Sequence, residues 1–100
     1  MNAAATALPR LAVTAGEPAG VGPELVARLA ASPLAADLVA IGDADLLQRA
    51  ARACGLTLQI EDWDGTPRRL RAPGALRVIG IPLRARETPG VPDPRNAFHV

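Results

Sequence analysis

Leu11-Ala12-Val13-Thr14-Ala15-Gly16-Glu17-Pro18-Ala19-Gly20-Val21-Gly22-Pro23-Glu24 is the stretch that decides the fold. Leu11 to Thr14 is a short apolar run between Arg10 and Gly16, the form of a buried strand that leads into a loop. The loop, Gly16 to Gly22, carries three glycines in seven residues. Pro23 and Glu24 then give a helix start, with proline just inside the helix and a carboxylate in its first turn. Leu25, Val26, Leu29 and Ala30 recur at helical spacing, and Ser32-Pro33 stops the run. Strand, glycine loop and helix together open an α/β unit.

The unit repeats downstream. Asp37 precedes Leu38-Val39-Ala40-Ile41, a continuous apolar run of the kind found in parallel sheets covered on both faces. Asp43 is placed to cap a second helix, whose apolar stripe is Leu46, Leu47, Ala50, Ala51 and Cys54. Gly55 stands where a left-handed C-cap belongs. Leu56 to Ile60 alternates as a third strand. Glu61 to Arg71 is polar, with a turn at Asp64-Gly65. Leu76, Val78 and Ile79 to Ile81 form a fourth strand that Pro82 ends. Pro82, Pro89, Pro92 and Pro94 mark a surface crossover, after which Asp93-Pro94 starts a helix carrying Ala97, Phe98 and Val100. A helix of one or two turns does not stand alone in water, so a longer polypeptide is expected.

Composition agrees with a folded domain. Hydrophobic residues make 49% of the 100 residues and charged residues 21%, which excludes a charge-driven disordered chain. Only Trp63 and Phe98 are aromatic, so Leu, Val, Ile and Ala must fill the core. A net charge of +1 provides no field to attract nucleic acid or an anionic membrane. No apolar run reaches membrane-spanning length. Residues 1–9 lack the basic start of a signal peptide and read as a disordered leader. A single cysteine, Cys54, excludes an internal disulfide and fits a reducing, cytoplasmic setting.

The glycine loop is the one feature that points to chemistry. Glycines let backbone amides approach a ligand, and a following helix offers free N–H groups and a positive dipole end. The pattern is not a Walker loop, because the chain has no lysine, and Leu25 stands where a dinucleotide fingerprint needs its third glycine. On spacing alone, ligand binding and a plain tight turn both remain open. His99 has no second ligand four residues away and reads as a surface helix residue. Cys54 reads as a small buried hydrophobe. Arg68, Arg69 and Arg71 could bind phosphate, but a solvated hairpin flank facing Glu61, Asp62 and Asp64 accounts for them as well. Trp63 covers either the sheet edge or a partner.

Thr14-Ala15-Gly16-Glu17-Pro18-Ala19-Gly20-Val21-Gly22-Pro23-Glu24 closely resembles the N-terminal signature of the 4-hydroxythreonine-4-phosphate dehydrogenase family. There the pattern reads T-x-G-[DE]-P-A-G-[IV]-G-P-[ED], directly after the first strand. Ile41-Gly42-Asp43 and the Leu46–Cys54 helix match the family's second βα unit in place and character.

The resemblance implies an NAD- or NADP-dependent enzyme of pyridoxal phosphate biosynthesis. Its substrate would be 4-phosphooxy-L-threonine, oxidised at the 3-hydroxyl and then decarboxylated. A divalent metal (zinc, magnesium or cobalt) would polarise the reacting oxygen. The implied fold is that of isocitrate and isopropylmalate dehydrogenases: two α/β lobes, a cleft between them, and a cytoplasmic homodimer. This chain would be the N-terminal portion, inactive alone, with the metal-binding histidines beyond position 100. No catalytic residue and no metal ligand is carried over. What transfers is the loop: Gly16, Glu17, Gly20 and Gly22 as cofactor-binding or cleft-facing positions, with Pro18, Ala19, Pro23 and Glu24 as their frame. Two other readings compete: a same-fold dehydrogenase of phosphorylated sugar-acid or aromatic-diol catabolism, and a non-catalytic nucleotide-binding module.

Overall fold

A computed structural model describes residues 8–65 and 70–99 of the chain. Four strands form one sheet: β1 (Arg10–Thr14), β2 (Asp37–Gly42), β3 (Gln59–Asp62) and β4 (Ala75–Gly80), in the order β1-β2-β4-β3. Every adjacent pair is parallel. Helix α1 (Gly22–Ala31) joins β1 to β2, and α2 (Ala44–Ala53) joins β2 to β3. Both crossovers advance the same way across the sheet, so the right-handed rule places both helices on one face.

The core lies between those helices and the sheet. Val26, Ala27 and Ala30 of α1 and Leu47 and Ala51 of α2 pack with Leu38, Ala40, Leu76 and Val78. Alanines with no exposed surface at 27, 30 and 51 let the backbones approach closely, which is how a chain with few aromatics reaches native packing density. The expected α1 stripe shifts accordingly. Leu25 is 58% exposed, and Pro23, Val26, Ala27 and Ala30 are the buried positions. On α2 the expected Leu46, Leu47 and Ala51 are buried, while Ala50 and Cys54 are half-buried.

The expectation of a buried first strand is not met. Among the described residues β1 pairs only with β2 and lies at the edge of the sheet, with Leu11 41% exposed. The buried inner strands are β2 and β4, as the apolar run at Leu38–Ile41 indicated. The disordered leader expected over residues 1–9 falls, for residues 1–7, outside the described residues. Pro9 itself is tied in, its carbonyl accepting the Asp37 N–H at 2.8 Å.

Caps follow the sequence closely at α2. Asp43 Oδ1 accepts the Leu46 N–H at 2.9 Å. At the other end Gly55 (φ +72) donates to Arg52 and Leu56 donates to Ala51, the paired bonds of a Schellman motif. α1 ends differently, and the reason lies far along the chain. Arg71 donates to the carbonyls of Ala30 and Ser32 at 2.5 Å and of Leu29 at 3.3 Å. Its cation therefore sits at the negative end of α1, and not on a solvated hairpin flank. No hairpin exists there, because β3 and β4 are parallel and need a crossover between them. Arg68 and Arg69 lie outside the described residues.

The sheet's second face carries polar groups. Asp37 is 2% exposed and Arg77 5%. Arg77 Nη2 meets both Asp37 oxygens at 2.6 Å, and Arg10 Nε adds a bond at 2.9 Å. Burial pushes the Asp37 carboxyl up, but the two guanidiniums outweigh it and hold it below the usual carboxylate value. Trp63 resolves onto this face: its ring centroid lies 5.8 Å from the Arg10 guanidinium carbon.

Candidate functional site

The glycine loop leaves the carboxyl end of β1, where open parallel sheets place their ligands. Its glycines have separate roles. Gly16 turns the chain at φ +68, in the left-handed region. Gly22 sits against backbone: a Cβ there would stand 1.6 Å from the Ala15 carbonyl oxygen. Gly20 keeps an ordinary φ and is exposed. Positive φ or close backbone approach is the sequence expectation at Gly20 and Gly22; the structure puts close approach at Gly22 and positive φ at Gly16, and Gly20 has an ordinary φ.

Glu17, expected as a cleft-facing position, also serves the turn: its Oε1 accepts the Ala19 N–H at 3.1 Å while its carbonyl accepts the Gly20 N–H at 2.9 Å. Glu17 therefore shapes the loop from inside. Val21, at the N-cap of α1, makes no side-chain cap bond, and Val21 and Gly20 are the loop's exposed tip.

A downstream segment closes over this loop. Thr88-Pro89-Gly90-Val91 is a tight turn, with proline second, Gly90 third at φ +81, and the Val91 N–H bonded to the Thr88 carbonyl. From that turn the Gly90 N–H reaches the Ala19 carbonyl at 2.8 Å. Asn96, 2% exposed, accepts the Arg84 and Ala85 N–H groups on Oδ1 at 3.0 Å each and donates Nδ2 to the Ala85 carbonyl at 2.8 Å. Glu87 forms a two-point ion pair with Arg49 of α2, with one contact at 2.7 Å. The Arg49 bond pulls the Glu87 carboxyl below its usual value in spite of burial. Asp43 completes the fastening: the oxygen not used to cap α2 accepts the Leu83 N–H at 2.8 Å. Burial raises the Asp43 carboxyl, but the N–H bonds from Leu83, Leu46 and Asp45 outweigh it. The sequence marked this stretch only as a proline-rich surface crossover. The signal for its fastening was Asn96, a polar residue just inside a helix start with no turn to serve.

A cavity of about 470 Å³ opens between the loop tip and its neighbours, lined by Ala19, Gly20, Val21, Glu24, Cys54 and Pro89 among others. Its one polar pair is Cys54 Sγ donating to Glu24 Oε1 at 2.9 Å. That bond to a carboxylate raises the thiol's pKa above its usual value, which disfavours the thiolate. It is half-buried and hydrogen-bonded, where the sequence suggested a plain buried hydrophobe. His99 is also less free than expected. It ends the 3-10 helix Pro94–His99, lays its ring against Gly42 at the end of β2, and places Nε2 3.1 Å from the Ile81 carbonyl. Among the described residues no three His, Cys, Asp or Glu side chains are grouped to hold a metal. No helix among them is long and apolar enough to cross a membrane.

No family model matches the chain. Curated relatives do. Over 96 residues it is 45% identical to the 4-hydroxythreonine-4-phosphate dehydrogenase of Thioalkalivibrio sulfidiphilus, covering 95% of this chain and 29% of that protein. Over 94 residues it is 50% identical to the enzyme of the same name from Chromobacterium violaceum, covering 92% of this chain and 27% of the relative. Among solved structures, a 4-hydroxythreonine-4-phosphate dehydrogenase from Burkholderia phymatum superposes with a TM-score of 0.68 at 29% identity. That match covers 83% of this chain and 26% of the other. The chain thus spans between a quarter and a third of the length of the relatives it matches. Sequence and parallel α/β fold agree: along nearly its whole length the chain is homologous to part of the 4-hydroxythreonine-4-phosphate dehydrogenases.

Proposed function

We propose that the full-length protein oxidises and decarboxylates 4-phosphooxy-L-threonine in pyridoxal phosphate biosynthesis, using NAD or NADP. The observation that carries this reading is the 45% identity over 96 residues to a 4-hydroxythreonine-4-phosphate dehydrogenase. The chain would form the start of the first lobe of a two-lobed fold like that of isocitrate and isopropylmalate dehydrogenases. In that reading the enzyme is a cytoplasmic homodimer.

The loop's place in the reaction follows from its geometry. Gly20 and Val21 form an exposed tip at the carboxyl end of β1, and no side chain caps α1. The first amides of α1 and their dipole thus suit a negatively charged part of the cofactor or substrate. Gly16 and Gly22 hold the turn, and Glu17 braces it through the Ala19 N–H. Gly16, Glu17, Gly20 and Gly22 are proposed as the cofactor-side or cleft-side element. A bound nicotinamide would accept a hydride from the substrate's carbinol carbon. The described residues do not fit a divalent metal, since their single imidazole is engaged with Ile81 and no acidic cluster accompanies it. A zinc, magnesium or cobalt ion would take its ligands from outside this chain.

The test is direct. The purified full-length protein should reduce NAD or NADP when given 4-phosphooxy-L-threonine and a divalent metal, releasing carbon dioxide. No reduction with that substrate, but turnover of another phosphorylated hydroxy acid, would reassign the protein within the fold.

A further inference from the structure

We propose that Asn96 is a positioning residue for the glycine loop: it closes the Arg84–Asn96 segment into a clasp that presents the Gly90 N–H to the Ala19 carbonyl. The inference rests on the reading of that loop as a ligand-facing element, but its own content is mechanical. The loop's internal bonds fix its shape, through Glu17 to Ala19 and Gly20. They do not fix where the loop sits relative to the rest of the sheet end. The loop tip is joined to the downstream segment by the Gly90 N–H bond to the Ala19 carbonyl. Its direction depends on the Thr88–Val91 turn, and that turn hangs between two anchors. One is Glu87 on Arg49 of α2. The other is Asn96, whose side chain satisfies three backbone groups of Arg84 and Ala85 while nearly fully buried.

A buried asparagine that serves three backbone groups is costly to replace, because each group left unpaired loses its partner in a site closed to water. The clasp is also the right kind of lever. Its anchors are side chains, and it reaches the loop through one backbone bond at Ala19, beside the exposed Gly20. Pro89 and Gly90 share a cavity wall with Ala19, Gly20 and Val21, so a shift of the turn changes the space beside the loop tip.

The experiment uses the full-length protein and three variants: Asn96→Ala, Asn96→Asp and Glu87→Gln. Asn96→Asp keeps the acceptor for Arg84 and Ala85 but loses the donor to the Ala85 carbonyl. Glu87→Gln weakens the second anchor without touching the buried side chain, and keeps the test alive if Asn96→Ala does not fold. Hydrogen–deuterium exchange is followed for the Ala19 and Gly20 amides, alongside melting temperature and steady-state kinetics. Exchange in the loop should quicken by about fivefold, the ratio carried by one net hydrogen bond, with Asn96→Ala above Asn96→Asp. KM for the ligand that the loop faces should rise more than kcat falls. Faster exchange confined to residues 84–91, with the loop unchanged in Asn96→Ala and Glu87→Gln, would overturn the proposal. Faster loop exchange with unchanged kinetics would support the clasp and instead refute the ligand-facing role of the loop.

Discussion

Gly20 and Gly22 stand two positions apart in one loop and should respond to the same substitution to very different extents. A methyl group on Gly22 would meet the Ala15 carbonyl at 1.6 Å, and backbone on both sides would have to move. Gly22→Ala should therefore destabilise by at least about 2 kcal/mol. At Gly20 the nearest atom to a new Cβ is the Glu17 carbonyl oxygen at 3.3 Å, and φ is ordinary. Gly20→Ala should cost less than about 1 kcal/mol. Denaturant melts of the two variants check the pair; equal losses would mean the loop packs differently. Glu17→Gln separates bracing from chemistry. The amide keeps an oxygen for the Ala19 N–H, so the melting temperature should hold. If the carboxylate faces substrate or cofactor, kcat/KM should fall in the full-length enzyme. The sequence made the loop legible as a loop, because glycine spacing and the Pro-Glu helix start are local. It could not divide the work among Gly16, Gly20 and Gly22, since close approach depends on where Ala15 folds back. Nor could it show that Glu17 binds its own loop, because a carboxylate two residues before an amide acts only when the turn brings them together.

Strand and helix order was readable from periodicity, and the caps of α2 from single residues: Asp43 in front, Gly55 behind. What the pattern misread were relations between elements. β1 has the composition of a buried strand but lies at an edge, because burial is set by its neighbours. Polar residues 61–71 suggested a hairpin, where β3 and β4 in fact run parallel. Arg71 shows the consequence. Its fork caps α1 from the far side of that crossover, so Arg71→Ala should destabilise by about 1–3 kcal/mol. Arg71→Lys should rescue little, since an ammonium cannot span the same set of carbonyls. Thermal melts of both variants distinguish this cap from a solvated flank, on which neither change would register. The sheet's second face gives a pH prediction. The Asp37 carboxyl is lowered in the folded protein by Arg77 and Arg10, so its contribution is complete above the unfolded value, near about pH 4. It is lost as pH falls through the folded value. Asp37→Ala leaves buried Arg77 without its carboxylate and should cost about 3–5 kcal/mol at neutral pH. The variant's stability should also fall less steeply than the parent's as the solution is acidified below about pH 4. Urea titrations at neutral and acid pH measure both effects.

At the scale of the molecule, the described residues gather no three side chains that could hold a metal ion. The sequence shows one imidazole, His99, and its Nε2 stands at hydrogen-bond distance from the Ile81 carbonyl. The carboxylates that could join it have partners: Asp37 with two arginines, Asp43 with two backbone amides, Glu87 with Arg49, and Asp93 with Arg95. Recruiting any of these to a cation would break a bond that holds the fold. Zinc sites need three or four such side chains converging on one point, and binding is strong only when the ligands are free to deprotonate and face inward. Residues 1–100 alone should therefore bind zinc or cobalt no more tightly than an exposed histidine does, and should show no dehydrogenase activity. The full-length protein should bind the metal stoichiometrically at micromolar concentration. Trp63 makes the comparison fair. It is the only tryptophan, and it packs on the sheet beside Arg10, so its emission reports whether the isolated chain is folded during the titration. A folded chain that gives a saturating calorimetric isotherm with one zinc per molecule would place a metal site among these residues. Such an isotherm would overturn the prediction that these residues hold no metal site.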